Sequence, residues 1–168
     1  AHLVQFGVMG AAYASNYLGI ERPQVVLLSN GPEISKGTES LREAHRLLNQ
    51  TSMDYQGFVE GRSIPTGQFD VIVCDGLVGN VVLKLSEALV ASLFDRIKDT
   101  FREDLLASMA VPLVRGPLTR LGQSLDWERV GGAALLGLKG ISIIAHGDAS
   151  PKAISSAIER AREYHRFK

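Results

Sequence analysis

The chain has 168 residues, and lysine plus arginine equal aspartate plus glutamate at 18 each, so its formal charge is zero at neutral pH. That length suits one α/β domain with a real core or part of a larger protein, and the charge balance removes any global field pointing to nucleic acid. A single cysteine, Cys74, excludes a disulfide framework and suits a reducing compartment. Neither a signal peptide nor an apolar run near the length of a membrane span is apparent, so no transmembrane helix is expected. The chain opens on Ala-His-Leu-Val without a methionine, directly in a helical pattern, and a fragment of a longer chain is expected.

His2–Leu18 reads as a helix with small residues at Gly7, Gly10, Ala11 and Ala14, spaced to let a neighbour approach closely. Pro23 closes a linker, and Gln24–Leu28 reads as a buried strand followed by the turn cluster Ser29-Asn30-Gly31-Pro32. Ser40-Leu41-Arg42-Glu43 fits a capping box, with Leu41, Ala44, Leu47 and Leu48 as the apolar face behind it. Tyr55–Val59 is a weaker strand ended by Glu60-Gly61-Arg62.

The organising stretch is Asp70–Phe101. Val71–Cys74 is short, apolar and β-branched, as in a strand buried on both faces. Asp75–Asn80 then breaks the run, with Gly76 and Gly79 able to adopt positive φ and to let another backbone or a ligand come close, and a helix follows through Val81, Leu85, Ala88, Leu89, Ser92 and Leu93. Strand, glycine turn and helix place ligands at the carboxyl edge of a parallel sheet, where the helix start favours an anion. A bare βα turn fits the same residues. From Asp104 to Leu125 the apolar residues are broken by Pro112, Gly116 and Pro117, which reads as a helical hairpin covered by the fold or a partner, or as an amphipathic tip. Gly131–Leu138 and Ile141–Ala145 read as a strand pair. Ser150-Pro151 starts a last helix whose expected buried face is Ile154, Ala157, Ile158 and Ala161. The alternation argues for α/β, with an antiparallel part near the C-terminus.

Parallel strands would bring Asn30–Gly37, Gly61–Arg62 and Asp75–Asn80 to one rim, and His146–Ser150 is a fourth polar turn. Lys36, Arg62, Asn80 and His146 with adjacent glycines resemble a phosphate or oxyanion site. Each has a duller reading: Lys36 as a solvated loop residue, Arg62 paired with Glu60, Asp75 bonded to its own turn, Asn80 as helix cap, His146 at a strand end. No GxSxG, HExxH, CxxC or Walker pattern is present, so neither a nucleophile elbow nor a dedicated metal site is expected.

The segments LLSNGPEISKG, FVEGRSIP, DVIVCDGLVGNVVLK, GGAALLGLKG and AHGDAS resemble the phosphate acyltransferase family of bacterial phospholipid synthesis, PlsX. The likeness runs from about Ala1 to Tyr164, and its most specific pieces are CDG-x-x-GN-x-x-LK and GGAxLLGLKG. It corresponds to the C-terminal half of the family's length. Two turns depart from the family pattern, Ser29-Asn30-Gly31-Pro32 and His146-Gly147-Asp148-Ala149-Ser150.

The resemblance implies one α/β domain over residues 1–168, a three-layer αβα fold akin to phosphotransacetylases and isopropylmalate dehydrogenases, with a protruding apolar helical segment at 102–125. It implies a cytoplasmic homodimer peripherally associated with the inner face of the cell membrane. The reaction is acyl-[acyl carrier protein] plus inorganic phosphate giving acyl phosphate, which a downstream glycerol-3-phosphate acyltransferase would consume. No cofactor and no metal are expected. On this reading Lys36, Asn80, Asp75 and His146 are the catalytic set: Lys36 and Asn80 donate to phosphate or oxyanion, while Asp75 and His146 orient these groups or handle protons. Asn30, Gly31, Arg62, Gly76, Gly79 and Gly147 would bind phosphate. Leu105, Leu106, Met109, Leu113, Leu118 and Leu121 would meet the membrane or the dimer partner. Rival readings are a phosphate acetyl- or butyryltransferase using coenzyme A thioesters, a non-catalytic dimerisation fragment and, third, a nicotinamide dehydrogenase.

Overall fold

Three parallel strands carry the first half of the chain. In the computed structural model, residues 2–103, 105–125, 132–147 and 149–166 are described, without the side chains of Leu105, Leu106, Ser108 and Arg166. They divide into two units, one up to Gly79 and one from Asn80 to Arg166.

In the first unit the order is α1 (His2–Leu18), β1 (Gln24–Leu28), α2 (Glu39–Leu48), β2 (Asp54–Val59) and β3 (Val71–Val73). The sheet order is β2-β1-β3, both pairings parallel, so β1 is the middle strand. Its Val25, Val26 and Leu27 are fully buried, which accounts for an unbroken apolar run where a half-exposed strand would alternate. Val25 and Leu27 pack with Ala44 and Leu48 of α2, Phe58 and Val73. The small residues of α1 permit the close approach expected of them. A Cβ at Gly10 would lie 2.6 Å from Val71 Cγ1, and one at Gly7 would lie 3.3 Å from Leu48 Cδ2.

Two details of this unit differ from the sequence reading. Thr38, not Ser40, caps α2: its Oγ1 accepts from the Leu41 amide at 3.3 Å, and Glu39 is already helical, which leaves Ser40 inside the first turn. The β1–β2 register slips between Val25 and Leu27, with an extra residue on β2 beside Gly57, whose φ is +95°. Such a bulge needs a residue without a Cβ at that angle.

The second unit contains most of α3 (Gly76–Glu103), α4 (Leu105–Ser124), the two-residue strands β4 (Ala133–Ala134) and β5 (Ile143–Ile144), and α5 (Pro151–Arg166). β4 and β5 pair antiparallel, with Ala133 opposite Ile144, as the C-terminal pattern suggested. Gly131 of the expected strand lies outside the described residues. The ring of Phe94 comes within 3.7 Å of a Cβ built on Gly122, so α4 meets α3 there. α4 runs through Pro112 and Pro117, each of which removes one i→i−4 hydrogen bond.

Ser150 caps α5 through its Oγ, 3.2 Å from the Ala153 amide, with Pro151 at the first helical position. The buried stripe of α5 is Ala153 and Ala157, while Ile154 and Ile158 are exposed. Of the expected face of Ile154, Ala157, Ile158 and Ala161, Ala157 is buried as expected, while the two isoleucines are corrected to exposed positions: the small alanines turn inward and the isoleucines stay out. None of the described residues of α3 is buried. By length and composition α3 could cross a membrane, a property hidden from a search for an uninterrupted apolar run because Lys84 and Glu87 interrupt it.

Candidate functional site

Parallel pairing has a direct consequence for the first unit: the chain leaves all three strands at the same rim. Ser29 and Asn30 follow β1, Gly61 follows β2, and Cys74, Asp75 and Gly76 follow β3. These residues line one cavity of about 960 Å³, together with Lys36 and Thr38 from the β1–α2 connection and Phe6 from α1. The expected convergence of the first three turns is what the structure shows, in the position where open parallel sheets take ligands.

Lys36 supplies the positive charge. It ends a short 3₁₀ turn, Ile34–Lys36, and its Nζ lies 3.1 Å from Glu33 Oε2, both side chains about half exposed. Glu33 is held below its ordinary value, first by a main-chain hydrogen bond and then by the Lys36 ammonium. Gly31 makes room for this pair, because a Cβ there would fall 2.6 Å from Lys36 Cδ and 2.7 Å from Glu33 Oε2. Ser29 donates its main-chain N–H to Val59 O at 2.8 Å, while its buried Oγ has no hydrogen-bond partner among the described residues.

Asp75 is the cap of α3. Its Oδ1 accepts from the Val78 amide at 2.8 Å, and its carbonyl accepts from the Gly79 amide at 2.9 Å. The helix therefore starts at Gly76, and neither Gly76 nor Gly79 uses the positive φ open to glycine. Gly79 and Asn80 amides serve the helix, leaving Gly76 and Leu77 as the donors at its open end. Gly79 has a packing role instead, since its Cβ would sit 3.3 Å from Cys74 Sγ. Burial, followed by the Asp75 charge, pushes the Cys74 thiol above its ordinary value, so Cys74 is not an activated nucleophile.

The remaining expected residues fall elsewhere. Arg62 is exposed and pairs with Glu60 at 2.9 Å, as its duller reading held. Asn80 is an exposed residue of α3 in the second unit, inside the helix rather than capping it. Gly147 is exposed, and Asp148 lies outside the described residues. On α4, Met109 and Leu113 are 72% and 82% exposed and Leu121 is also exposed, while Leu118 is half-buried; the side chains of Leu105 and Leu106 are not among those described.

His146, in the second unit, belongs to a cluster that sequence reasoning did not assemble. Lys84 Nζ lies 3.1 Å from Glu87 Oε2, and Glu87 Oε1 lies 3.2 Å from His146 Nε2. The same Nζ is 3.1 Å from His146 Nδ1 and 3.4 Å from Nε2. A bond in the ring plane to one nitrogen would leave the other far off, because their lone pairs diverge, so the ammonium sits over the imidazole face. The i, i+3 spacing of Lys84 and Glu87 on an apolar helix was the available signal. For Ser29 the signal was a hydroxyl directly after the middle strand.

A family model described as "Fatty acid synthesis protein" matches residues 1–167. A phosphate acyltransferase of Syntrophotalea carbinolica is 50% identical over 162 residues, 96% of this chain and 47% of that protein. One from Trichlorobacter lovleyi is 47% identical over 164 residues, 98% of this chain and 48% of the relative. One from Geobacter sulfurreducens is 46% identical over 163 residues, 97% and 47% of the two chains. The chain spans about half the length of the curated relatives it matches.

Proposed function

Because the chain belongs to the phosphate acyltransferase family, we propose that the rim of its parallel sheet holds inorganic phosphate for acyl transfer from an acyl-[acyl carrier protein]. The observation that carries this reading is the convergence of Lys36 and the open start of α3 on one cavity. A cation and main-chain amides at a helix N-terminus are complementary to a phosphate dianion. Asp75 and Glu33 temper the positive charge, so binding relies on aimed donors more than on net field.

The chemistry needs no covalent enzyme intermediate. An unprotonated oxygen of hydrogen phosphate attacks the thioester carbonyl carbon, the carbon–sulfur bond breaks, and the carrier leaves as a thiolate that gains the phosphate proton. The products are acyl phosphate and the free carrier thiol. The protein's contribution is to place the dianion and stabilise charge building on the carbonyl oxygen. Around the site we place a three-layer αβα fold of the phosphotransacetylase kind, in a homodimer at the inner face of the cell membrane, with the product passing to a glycerol-3-phosphate acyltransferase. The exposed Met109 and Leu113 support the membrane contact. Replacing both by glutamate in the full chain should abolish binding to phospholipid vesicles, and unchanged binding removes that part.

The deciding assay is acyl phosphate formation from palmitoyl-carrier protein and phosphate by the full chain and its Lys36→Ala variant. Removing one such donor lowers turnover on the order of 100- to 1000-fold. A variant within a factor of about three of the parent would reject Lys36 as a phosphate or oxyanion donor, since even one ordinary hydrogen bond is worth about 1 kcal/mol.

A further inference from the structure

We propose that Gly31 and Glu33 are positioning residues that hold the Lys36 ammonium at the rim cavity, an inference resting on the phosphate reading above. A lysine in a surface loop ordinarily samples many rotamers along its flexible stem. Here the loop itself is fastened at both ends. The Ser29 amide donates to Val59 O at 2.8 Å, and Arg42 Nη1 of α2 donates to Gly37 O at 2.5 Å. Between these anchors the Lys36 amide donates to Glu33 O at 3.1 Å and closes the 3₁₀ turn. At three residues per turn, side chains at i and i+3 eclipse, which stands Glu33 beside Lys36.

An exposed i, i+3 ion pair restrains little by itself. The second restraint is steric and comes from Gly31. That residue is buried, and the place its Cβ would take is filled by the Lys36 stem, with Cδ 2.6 Å and Nζ 3.1 Å away. Gly31 does not have positive φ, so the reason for glycine here is space rather than backbone conformation. Lys36 therefore crosses over Gly31 before its Nζ reaches Glu33 Oε2 at 3.1 Å. An ammonium has three N–H donors, and this bond uses one, which leaves two for an anion. Glu33 orients the charge without exhausting it. The rotamer freedom of Lys36 is then lost on folding instead of on binding, which favours the bound anion.

The test measures binding of inorganic phosphate to the full chain by titration calorimetry, with a urea midpoint recorded for each variant. Lys36→Ala should weaken binding on the order of 10- to 100-fold, the range for a hydrogen bond to a charged group. Gly31→Ala should weaken it nearly as much, and adding Gly31→Ala to Lys36→Ala should cost nothing further. The three atoms nearest the new methyl belong to Lys36 and Glu33, both exposed, so it should displace those side chains and leave the urea midpoint near the parent's. A second comparison leaves Gly31 alone. Glu33→Gln and Glu33→Ala carry the same charge, but only glutamine keeps an oxygen for the ammonium. Glu33→Ala should therefore bind phosphate about 3- to 10-fold more weakly than Glu33→Gln. Parent-like binding by Gly31→Ala, an equal further loss in the Lys36→Ala background, or equal affinities of the two Glu33 variants overturns the proposal. Should Gly31→Ala fail to fold, the Glu33 pair decides alone. If Lys36→Ala binds phosphate like the parent, or the parent binds none, the phosphate reading of the rim fails and the proposal falls with it.

Discussion

The two units organise polar groups by different means. In the first, a buried middle strand and parallel neighbours bring three turns to one rim, so backbone topology assembles the cavity. In the second, long helices with few buried side chains carry a cluster assembled by side-chain charge, one residue from a loop and two from α3. A site made by topology tolerates changes in individual side chains as long as the core holds. A site made by an ion cluster depends on its members and hardly at all on the core around it.

The largest expected effect tests the core half of that contrast. Leu27 is fully buried, whereas Leu85 on α3 is 56% exposed. Leu27→Ala should destabilise the full chain by about 2–5 kcal/mol, and Leu85→Ala by about 0.5 kcal/mol or less. Urea midpoints at unchanged slope measure both. Equal losses would break the comparison and would mean that α3 is covered in solution, for example by a second copy.

Glycine substitutions sharpen the same contrast at smaller amplitude. Gly10→Ala places a methyl 2.6 Å from Val71 and should cost about 1–3 kcal/mol through overpacking. Gly116→Ala, in α4 with open space around it, should be neutral or stabilise by up to about 1 kcal/mol. Gly57→Ala lies between them, because no atom opposes the methyl but the positive φ does, at about 1–2 kcal/mol. Thermal midpoints of the three variants should fall in that order, and Gly116→Ala as the least stable would refute the packing account.

How much of this was legible in the sequence follows from the same physics. α1, β1 and the convergence of the first three turns came from apolar runs and small-residue spacing, which report directly on burial and close approach. Asp75–Asn80 was misread because glycine suggests a turn, whereas here the Asp75 carboxylate captures the Val78 amide and starts the helix at once. Ile154 and Ile158 were misplaced because periodicity marks an apolar stripe without saying which edge faces inward. The Lys84–Glu87–His146 cluster was invisible as a unit, since it joins residues 62 positions apart and depends on tertiary placement. Lys36 and Asp75 were found by residue type, yet their immediate partners, Glu33 and the Val78 amide, are local bonds that any soluble loop or helix start could make.

Asp75 gives the smallest effect and the most discriminating one. It combines a structural duty, capping α3, with a negative charge beside a cavity proposed to hold phosphate. Asp75→Ala removes both and should cost about 1 kcal/mol of stability, the usual value of an N-cap. Asp75→Asn keeps a capping oxygen and removes only the charge, so it should unfold within about 0.5 kcal/mol of the parent, given that asparagine and aspartate cap about equally well. Its phosphate affinity then separates two roles for the carboxylate. If Asp75 only caps, removing its charge should strengthen phosphate binding several-fold at low salt, with the gain fading as salt rises. If Asp75 orients the donors or handles a proton, Asp75→Asn should bind phosphate no better and turn over more slowly. Titration calorimetry with inorganic phosphate at two ionic strengths, read beside kcat, distinguishes them. A stronger-binding variant with unchanged kcat would assign Asp75 to the helix alone, leaving Lys36 and the first amides of α3 as the groups that hold the anion.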